Sequence, residues 1–369
     1  MITLVNMVII SAGTEQRGMA LQVKDGKIAR IIPHNEVSDD ETVIDLQGNF
    51  LAPGLTDLQV YGGGGELFGG TPSVEALAKM EDDLLNQGTT GFFATVATNS
   101  PEIVVRAIEA AKAYRPQAKG NFLGLHLEGP YLNAKRKGAH PAGFIKKATI
   151  EEIRNWVDLA GGEIRMVTLA PELQDREVLD YLDKQNIVIS CGHSDATFEE
   201  ALRFLTNAVP AVTHLYNAMP QMHHRQPGLI PAIFEKKPYT SIVADGIHVS
   251  FPMIRLAKTL LGEKLFLITD AVTATSKGIY PHVFTGDRYT MPDGTLSGSC
   301  LTMLKAVKNC VEQVNIGLAE AINMASLYPA QLSGWSTKGK IEAGYDADLL
   351  VFNDNFEVKG TYLSGIKAR

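Results

Sequence analysis

The chain has 369 residues, 45% of them hydrophobic and 20% charged, and a formal net charge of −7. That length can bury one large core, or one core with a small satellite, and the composition is that of an ordinary globular protein. The acidic balance excludes a general nucleic-acid binder, which needs a basic surface, so groups that hold an anionic ligand must be concentrated locally.

The N-terminal stretch MITLVNMVIISAGTEQRG has an apolar patch but no basic lead-in, and it falls well short of the roughly 20 apolar residues of a membrane span. Neither a signal peptide nor a membrane association is expected. Residues 19–32, MALQVKDGKIARII, read as two alternating runs joined by Asp25-Gly26, a two-residue hairpin signal. The tail from Lys340 onward is similar, with strands expected at 347–352 and 358–363. Between these β-rich ends, strand and helix patterns alternate. Strands are expected at 55–60, 91–97, 122–127, 164–169, 187–191, 211–214, 239–244 and 265–269, with helices between them, for example at 74–87, 101–114, 150–159 and 199–206.

Eight such units over roughly 250 residues is the size of a (β/α)8 barrel. A doubly wound sheet would carry GxGxxG after its first strand, and none is present. The glycine run 62–65 lacks the Lys-Ser/Thr of a phosphate loop and reads as a loop at the barrel mouth. The expected fold is therefore α/β, a TIM-type barrel over 51–339 with a small β-sandwich domain formed by 1–50 and 340–369.

Active-site groups in such barrels sit at the C-terminal ends of strands. Strand three ends in Glu128, beside Gly129-Pro130. Strand five ends in Cys191-Gly192-His193, strand six in Thr213-His214 and strand eight in Thr269-Asp270. Two imidazoles and a carboxylate make a three-ligand, open metal site, and Asp270 remains as a general base. The donor set suits zinc but also Fe, Co, Mn or Ni. His223-His224-Arg225 forms a concentrated basic patch in an acidic chain, and arginine binds phosphate bidentately. Cys191, Cys300 and Cys310 are too scattered for a disulfide framework, which fits a reducing cytoplasm. Cys191 reads as a small buried thiol in the barrel interior, Cys310 as core and Cys300 as a neighbour of the ligand pocket, while His34 reads as a surface residue.

The stretches LAPGLTDLQ (51–59), GLHLEGPYLN (124–133), KGAH (137–140), GHSDAT (192–197), THLYNAMP (213–220), ADGIHV (244–249), LITDA (267–271) and SGSCLTM (297–303) follow one another along the chain. With VTLAPE (167–172), they resemble, in order, the N-acetylglucosamine-6-phosphate deacetylase family of the amidohydrolase superfamily. The resemblance implies that Glu128, His193 and His214 bind one divalent metal ion per subunit and that Asp270 is the acid/base. It implies that Ala139 and His140 contact substrate, His140 near the reacting amide, and that Asn217 and Ala218 hold substrate through side chain and backbone. Leu301, Thr302 and Met303 would close over the sugar and acetyl group. Arg225 and His248 would hold the 6-phosphate of a neighbouring subunit's substrate in a homodimer or a dimer of dimers.

The implied reaction removes the acetyl group from N-acetyl-D-glucosamine 6-phosphate, giving the free amine and acetate. A bound ion lowers the pKa of a water from ~15.7 to about 7, Asp270 takes its proton and then protonates the sugar nitrogen, and His140 helps to stabilise the oxyanion. Three alternatives remain: the same reaction on the galacto epimer, a cyclic-amide hydrolase, or a catalytically inactive scaffold. A cyclic-amide hydrolase would use the His-x-His pair that many amidohydrolases carry at the end of strand one. Here Gln59-Val60-Tyr61 stands there, which predicts a single-metal site.

Overall fold

The computed structural model describes residues 1–38, 42–206, 208–275 and 278–369. Eight parallel strands make its central sheet: β1 (Leu55–Val60), β2 (Thr89–Ala97), β3 (Phe122–Glu128), β4 (Ile164–Leu169), β5 (Val188–Cys191), β6 (Ala211–Val212), β7 (Tyr239–Val243) and β8 (Leu265–Ile268). They lie side by side in chain order. A bridge from Val60 to Ala271, with Asp270 N donating to the Gln59 carbonyl at 3.0 Å, draws the two edges together into a nearly closed barrel.

The strands read as nearly continuous apolar runs because each is covered on both faces, by the barrel interior and by the helices outside. β1 is buried at every position. The helices start where capping chemistry allows. Ser73 caps Val74–Asn86 by accepting from Ala76 N at 3.1 Å, and Thr197 with Glu200 forms a capping box before Phe198–Phe204. Among the described residues, no helix is long and apolar enough to cross a membrane.

The expected strands agree with those observed to within two residues, the largest shortfall being at β6, which ends at Val212 rather than at residue 214. The early end matters, because it leaves His214 free to leave strand geometry. The two ends of the chain form a β-sandwich. One sheet has four strands, 27–33, 19–24, 2–5 and 42–45. The other has six, in which the tail strands Val358–Leu363 and Leu349–Phe352 lie on one side and Phe50–Pro53 and Val8–Ser11 on the other. Leu4, Leu21, Val23, Leu51, Leu349 and Val351 fill the space between them, in a cluster separate from the barrel core. Phe50–Pro53 pairs with Leu349–Phe352 and leads directly into β1, which fastens the sandwich to the barrel.

A buried acid sets the start of β3. Glu81, on helix Val74–Asn86, is 0% exposed and accepts from the Tyr114 hydroxyl and from the amides of Lys119, Gly120 and Phe122. These bonds hold the loop that enters the strand whose far end is Glu128.

Candidate active site

Glu128 closes β3, His193 and His214 stand two residues beyond β5 and β6, and Asp270 stands two beyond β8. All four line one cavity at the C-terminal mouth of the barrel, and Ala139, His140, Asn217, Ala218 and His248 join them there. His193, His214 and Asp270 share a left-handed backbone, with φ of 50°, 36° and 55°.

His193 Nδ1 lies 2.7 Å from the Arg136 carbonyl, which can only accept, so Nδ1 carries the proton and Nε2 turns its lone pair to the cavity. His214 Nε2 lies 3.0 Å from Glu128 Oε1 and 3.1 Å from His193 Nε2, and His193 Nε2 is 3.4 Å from the same oxygen. Donor atoms about 2.0–2.2 Å from a tetrahedral ion are separated by roughly 3.3 Å. The three side chains therefore fit a small divalent cation as they stand. His140 is a fourth convergent group. Its Nε2 is 3.2 Å from Glu128 Oε2, and Glu128, His140 and His193 also present ligand atoms within 4.8 Å of one another.

Burial opposes ionisation of Glu128, but the imidazoles of His140, His193 and His214 gathered around it outweigh burial and hold the carboxyl well below its usual range. Asp270 goes the other way. Burial, with the charges of Glu128, Asp57 and Asp245, raises it to about 8, although His214 opposes the rise. Two carboxylates in one cavity thus have their proton affinities pushed apart, a recurrent feature of acid/base sites.

Gln59 and Tyr61 occupy the end of β1. Gln59 Nε2 donates toward Asp270 Oδ1 at 2.7 Å, Tyr61 Oη at 2.8 Å and Glu128 Oε1 at 3.1 Å, and the Tyr61 hydroxyl donates to Glu128 Oε2. Their position is legible as the departure from His-x-His; their grip on both carboxylates is not. Below the mouth, His126 Nδ1 donates to the Leu58 carbonyl at 2.9 Å. Its Nε2 therefore accepts from Thr168, at the head of a hydroxyl chain through Thr213 to Ser190. Burial lowers His126 to about 4, so it is a neutral strut.

Several expected placements differ. His248 lines this chain's own cavity, where Asp245 holds its Nδ1 at 2.6 Å, rather than standing free to reach a neighbour's site. Leu301, Thr302 and Met303 do not line the cavity. Thr302 is the N-cap of Met303–Asn309, accepting from Lys305 N at 3.2 Å, and Met303 is wholly buried in the barrel core. Leu296, Ser297 and Gly298, just upstream, line the cavity instead. Cys300 is exposed with its thiol on the Asp287 carbonyl, outside the lining, whereas Cys191 and Cys310 are buried. Arg225 is exposed beside His224, at 2.8 Å, and also lies outside the lining. Sequence reasoning missed Thr98, Tyr280 and His282, which carry no motif; the loop that brings the last two to the cavity has no repeating pattern.

Residues 50–367 match the amidohydrolase family. A Haemophilus influenzae N-acetylglucosamine-6-phosphate deacetylase is 35% identical over 375 residues, covering 98% of each chain. A solved structure of N-acetylglucosamine-6-phosphate deacetylase from Pasteurella multocida superposes with a TM-score of 0.92 at 35% identity, over 99% of this chain and 98% of that one. Another, from Thermotoga maritima, gives 0.88 at 28% identity over 99% of both chains. The chain belongs to the amidohydrolase family, and within it groups with the N-acetylglucosamine-6-phosphate deacetylases.

Proposed function

We propose that the chain hydrolyses the acetamide of N-acetyl-D-glucosamine 6-phosphate to acetate and D-glucosamine 6-phosphate, using one divalent ion held by Glu128, His193 and His214. The observation that carries this reading is the meeting of those three donors with Asp270 in one cavity of a chain whose relatives perform that deacetylation. An ion there would supply a Lewis acid and would lower the pKa of a water from ~15.7 to about 7, zinc being the first candidate among the divalent ions that this donor set suits.

The chain's own groups do the rest. Asp270 accepts the proton of the attacking water and returns it to the sugar nitrogen, a double role its place among the metal donors permits. Its high proton affinity in the metal-free cavity comes down when a cation stands beside it. Gln59 holds its Oδ1. His140, braced by the Thr98 hydroxyl at 2.8 Å, donates toward the developing oxyanion. Asn217 and Ala218 hold the substrate through side chain and backbone, and His248, fixed by Asp245, faces the sugar phosphate.

The exposed loop bearing His223, His224 and Arg225 reaches the cavity of a second copy in a homodimer and clamps the phosphate there. Amino-sugar catabolism in the cytoplasm is the setting that fits this chemistry. The chain divides into a sandwich of 1–50 with 340–369 and a barrel of 51–339, with the strand Phe50–Pro53 at the boundary pairing into the sandwich and contributing Leu51 to its core.

The test is acetate release from N-acetylglucosamine 6-phosphate and from its unphosphorylated parent, before and after chelation and again after zinc is returned. Phosphate-dependent, chelator-sensitive release is expected. Release that survives complete metal removal overturns the ligand assignment.

A further inference from the structure

Residues 280–289 carry a wall of rings along one side of the cavity. Tyr280 anchors it: its hydroxyl donates to the Thr98 carbonyl at 2.6 Å, and its ring meets His140 edge-on at 6.3 Å. His282 stacks on Tyr280 at 5.9 Å with planes 11° apart, and Tyr289 packs edge-on against it at 6.4 Å. His282 is 6% exposed and lines the cavity together with Ser297. Its Nδ1 lies 3.2 Å from the Ser297 hydroxyl, and the Ser297 backbone also accepts from the ring. Ser297 is held in turn by its amide, which donates to the Tyr289 carbonyl at 3.1 Å, and Ser299 beyond it donates to the Asp270 carbonyl at 2.8 Å and the Thr269 carbonyl at 2.6 Å.

We infer that His282 is a substrate-binding and specificity-determining residue, whose Nε2 hydrogen-bonds a ring hydroxyl of the amino sugar. The inference rests on the deacetylase reading and adds to it a residue that lies in no recognised motif. Three features select a hydroxyl. First, His282 lies one ring beyond Tyr280 from His140, so it meets the part of the substrate away from the reacting amide. Second, burial drives its proton affinity down to about 4, and its neighbours in the lining include Val272, Leu67 and Leu296. A neutral imidazole among apolar side chains suits a neutral group and not a phosphate dianion. Third, a ring nitrogen pinned as donor by the Ser297 backbone leaves the other as an acceptor, which suits the proton of a sugar hydroxyl. A lone polar atom in an apolar wall fixes orientation, and an analogue that fails to engage it leaves that atom unpaired.

The experiment compares wild type with His282→Phe and His282→Gln on N-acetylglucosamine 6-phosphate and on its 3-deoxy and 4-deoxy analogues, with metal content and Tm recorded for each protein. His282→Phe keeps the stack on Tyr280 and removes only the ring nitrogens. It is expected to raise KM for the parent sugar about tenfold, with kcat changed less than threefold and metal content unchanged. One deoxy analogue should bind wild type correspondingly worse yet bind His282→Phe no worse than the parent sugar does, because the lost contact is then the same one. His282→Gln should recover most of the affinity. A KM for His282→Phe within twofold of wild type, or deoxy effects that simply add to the mutation, overturns the inference. If His282→Phe does not fold, the same comparison is made with Ser297→Ala, where one deoxy effect must again shrink and an undiminished pair of deoxy effects overturns the inference. Absence of turnover by the wild-type chain on the parent sugar overturns instead the reading on which it rests.

Discussion

Asp57 is a carboxylic acid with 0% exposure, two residues before Gln59 on β1. Its Oδ1 accepts from Gln59 N at 3.1 Å and Thr269 N at 3.2 Å, and its Oδ2 accepts from the Thr269 hydroxyl. Burial nevertheless wins over these bonds and raises its pKa from 3.8 to about 7. Asp57→Asn replaces the acid with a neutral isostere: the amide oxygen keeps both backbone bonds, and the amide nitrogen can donate to Thr269 once its hydroxyl turns. The sign follows from linkage. Between pH 4 and 7 the unfolded wild type has released the Asp57 proton while the folded protein still holds it, so wild-type stability falls as pH rises through this window. The asparagine variant has no such dependence. A rise of about three pKa units at 1.36 kcal/mol each is about 4 kcal/mol. With an unfolding entropy of about 2.1 cal/mol/K per residue over 369 residues, that is about 5 °C in Tm. The assay is the Tm difference, variant minus wild type, for metal-free protein at half-unit steps from pH 4 to 8. It is expected to grow by about 5 °C up to pH 7 and then level off. Taking the difference removes the opposite trend of His126 and His282, whose lowered pKa values favour folding as pH rises from 4 to 6.5 in both proteins alike. A flat difference would refute the claim that folded Asp57 retains its proton.

Asp270→Asn should lower kcat by about 10²–10⁴, the usual worth of a positioned acid/base, with bound metal retained; turnover near wild type would remove Asp270 from the reaction. Tyr61→Phe deletes the donor to Glu128 Oε2 and should weaken zinc affinity about 10–100-fold in chelator competition, as loss of such supporting bonds typically does; an affinity within twofold of wild type would show that Gln59 and His140 hold the carboxylate unaided. Arg225→Ala should raise KM for the 6-phosphorylated sugar at least tenfold and hardly change it for the unphosphorylated one, and equal effects on both would end its role at the phosphate.

Much of the architecture was legible because its signals are local. Asp25-Gly26 specifies a hairpin, and the apolar runs at β1, β3 and β4 are the length of buried strands whatever packs on them. Glu128, His193, His214 and Asp270 were legible as a set because a parallel barrel brings strand ends together whatever their separation in sequence. What escaped depends on side-chain reach across long intervals. Glu81 looks like one more acid on an amphipathic helix until Tyr114 and three amides near Phe122 close around it. His282 belongs to a loop with no period to read, and only the fold puts its ring on Tyr280 and its edge on Ser297. The segment 301–303 misled because a motif records neighbourhood in sequence, whereas the turn at Gly298 decides which of its residues face the cavity. Gly298 has φ of +70°, and a Cβ there would sit 2.4 Å from Val272 and 3.0 Å from the Asp270 carbonyl, so the chain crosses the mouth at this glycine and buries Met303 behind it.

The left-handed backbone shared by His193, His214 and Asp270 explains how three strand ends serve one point in space. A side chain that continues strand geometry keeps to one face of the sheet, and a strand that ran on would carry the next inward residue up and away from the barrel axis. Reversing the chain two residues past the strand instead folds the side chain back over the mouth. For a residue with a Cβ this costs about 1–2 kcal/mol each. Each reversal has its own fastening: His193 through Nδ1 to the Arg136 carbonyl at 2.7 Å, His214 through its amide to Ser241 Oγ at 2.8 Å, and Asp270 through its amide to the Gln59 carbonyl at 3.0 Å. A backbone hydrogen bond is worth about 1 kcal/mol net, comparable to the strain it holds. Positions where a compact fold retains strained backbone and compensates each one separately are where geometry matters more than stability. Here those positions are the two imidazoles and the carboxylate that the proposed reaction would need to meet.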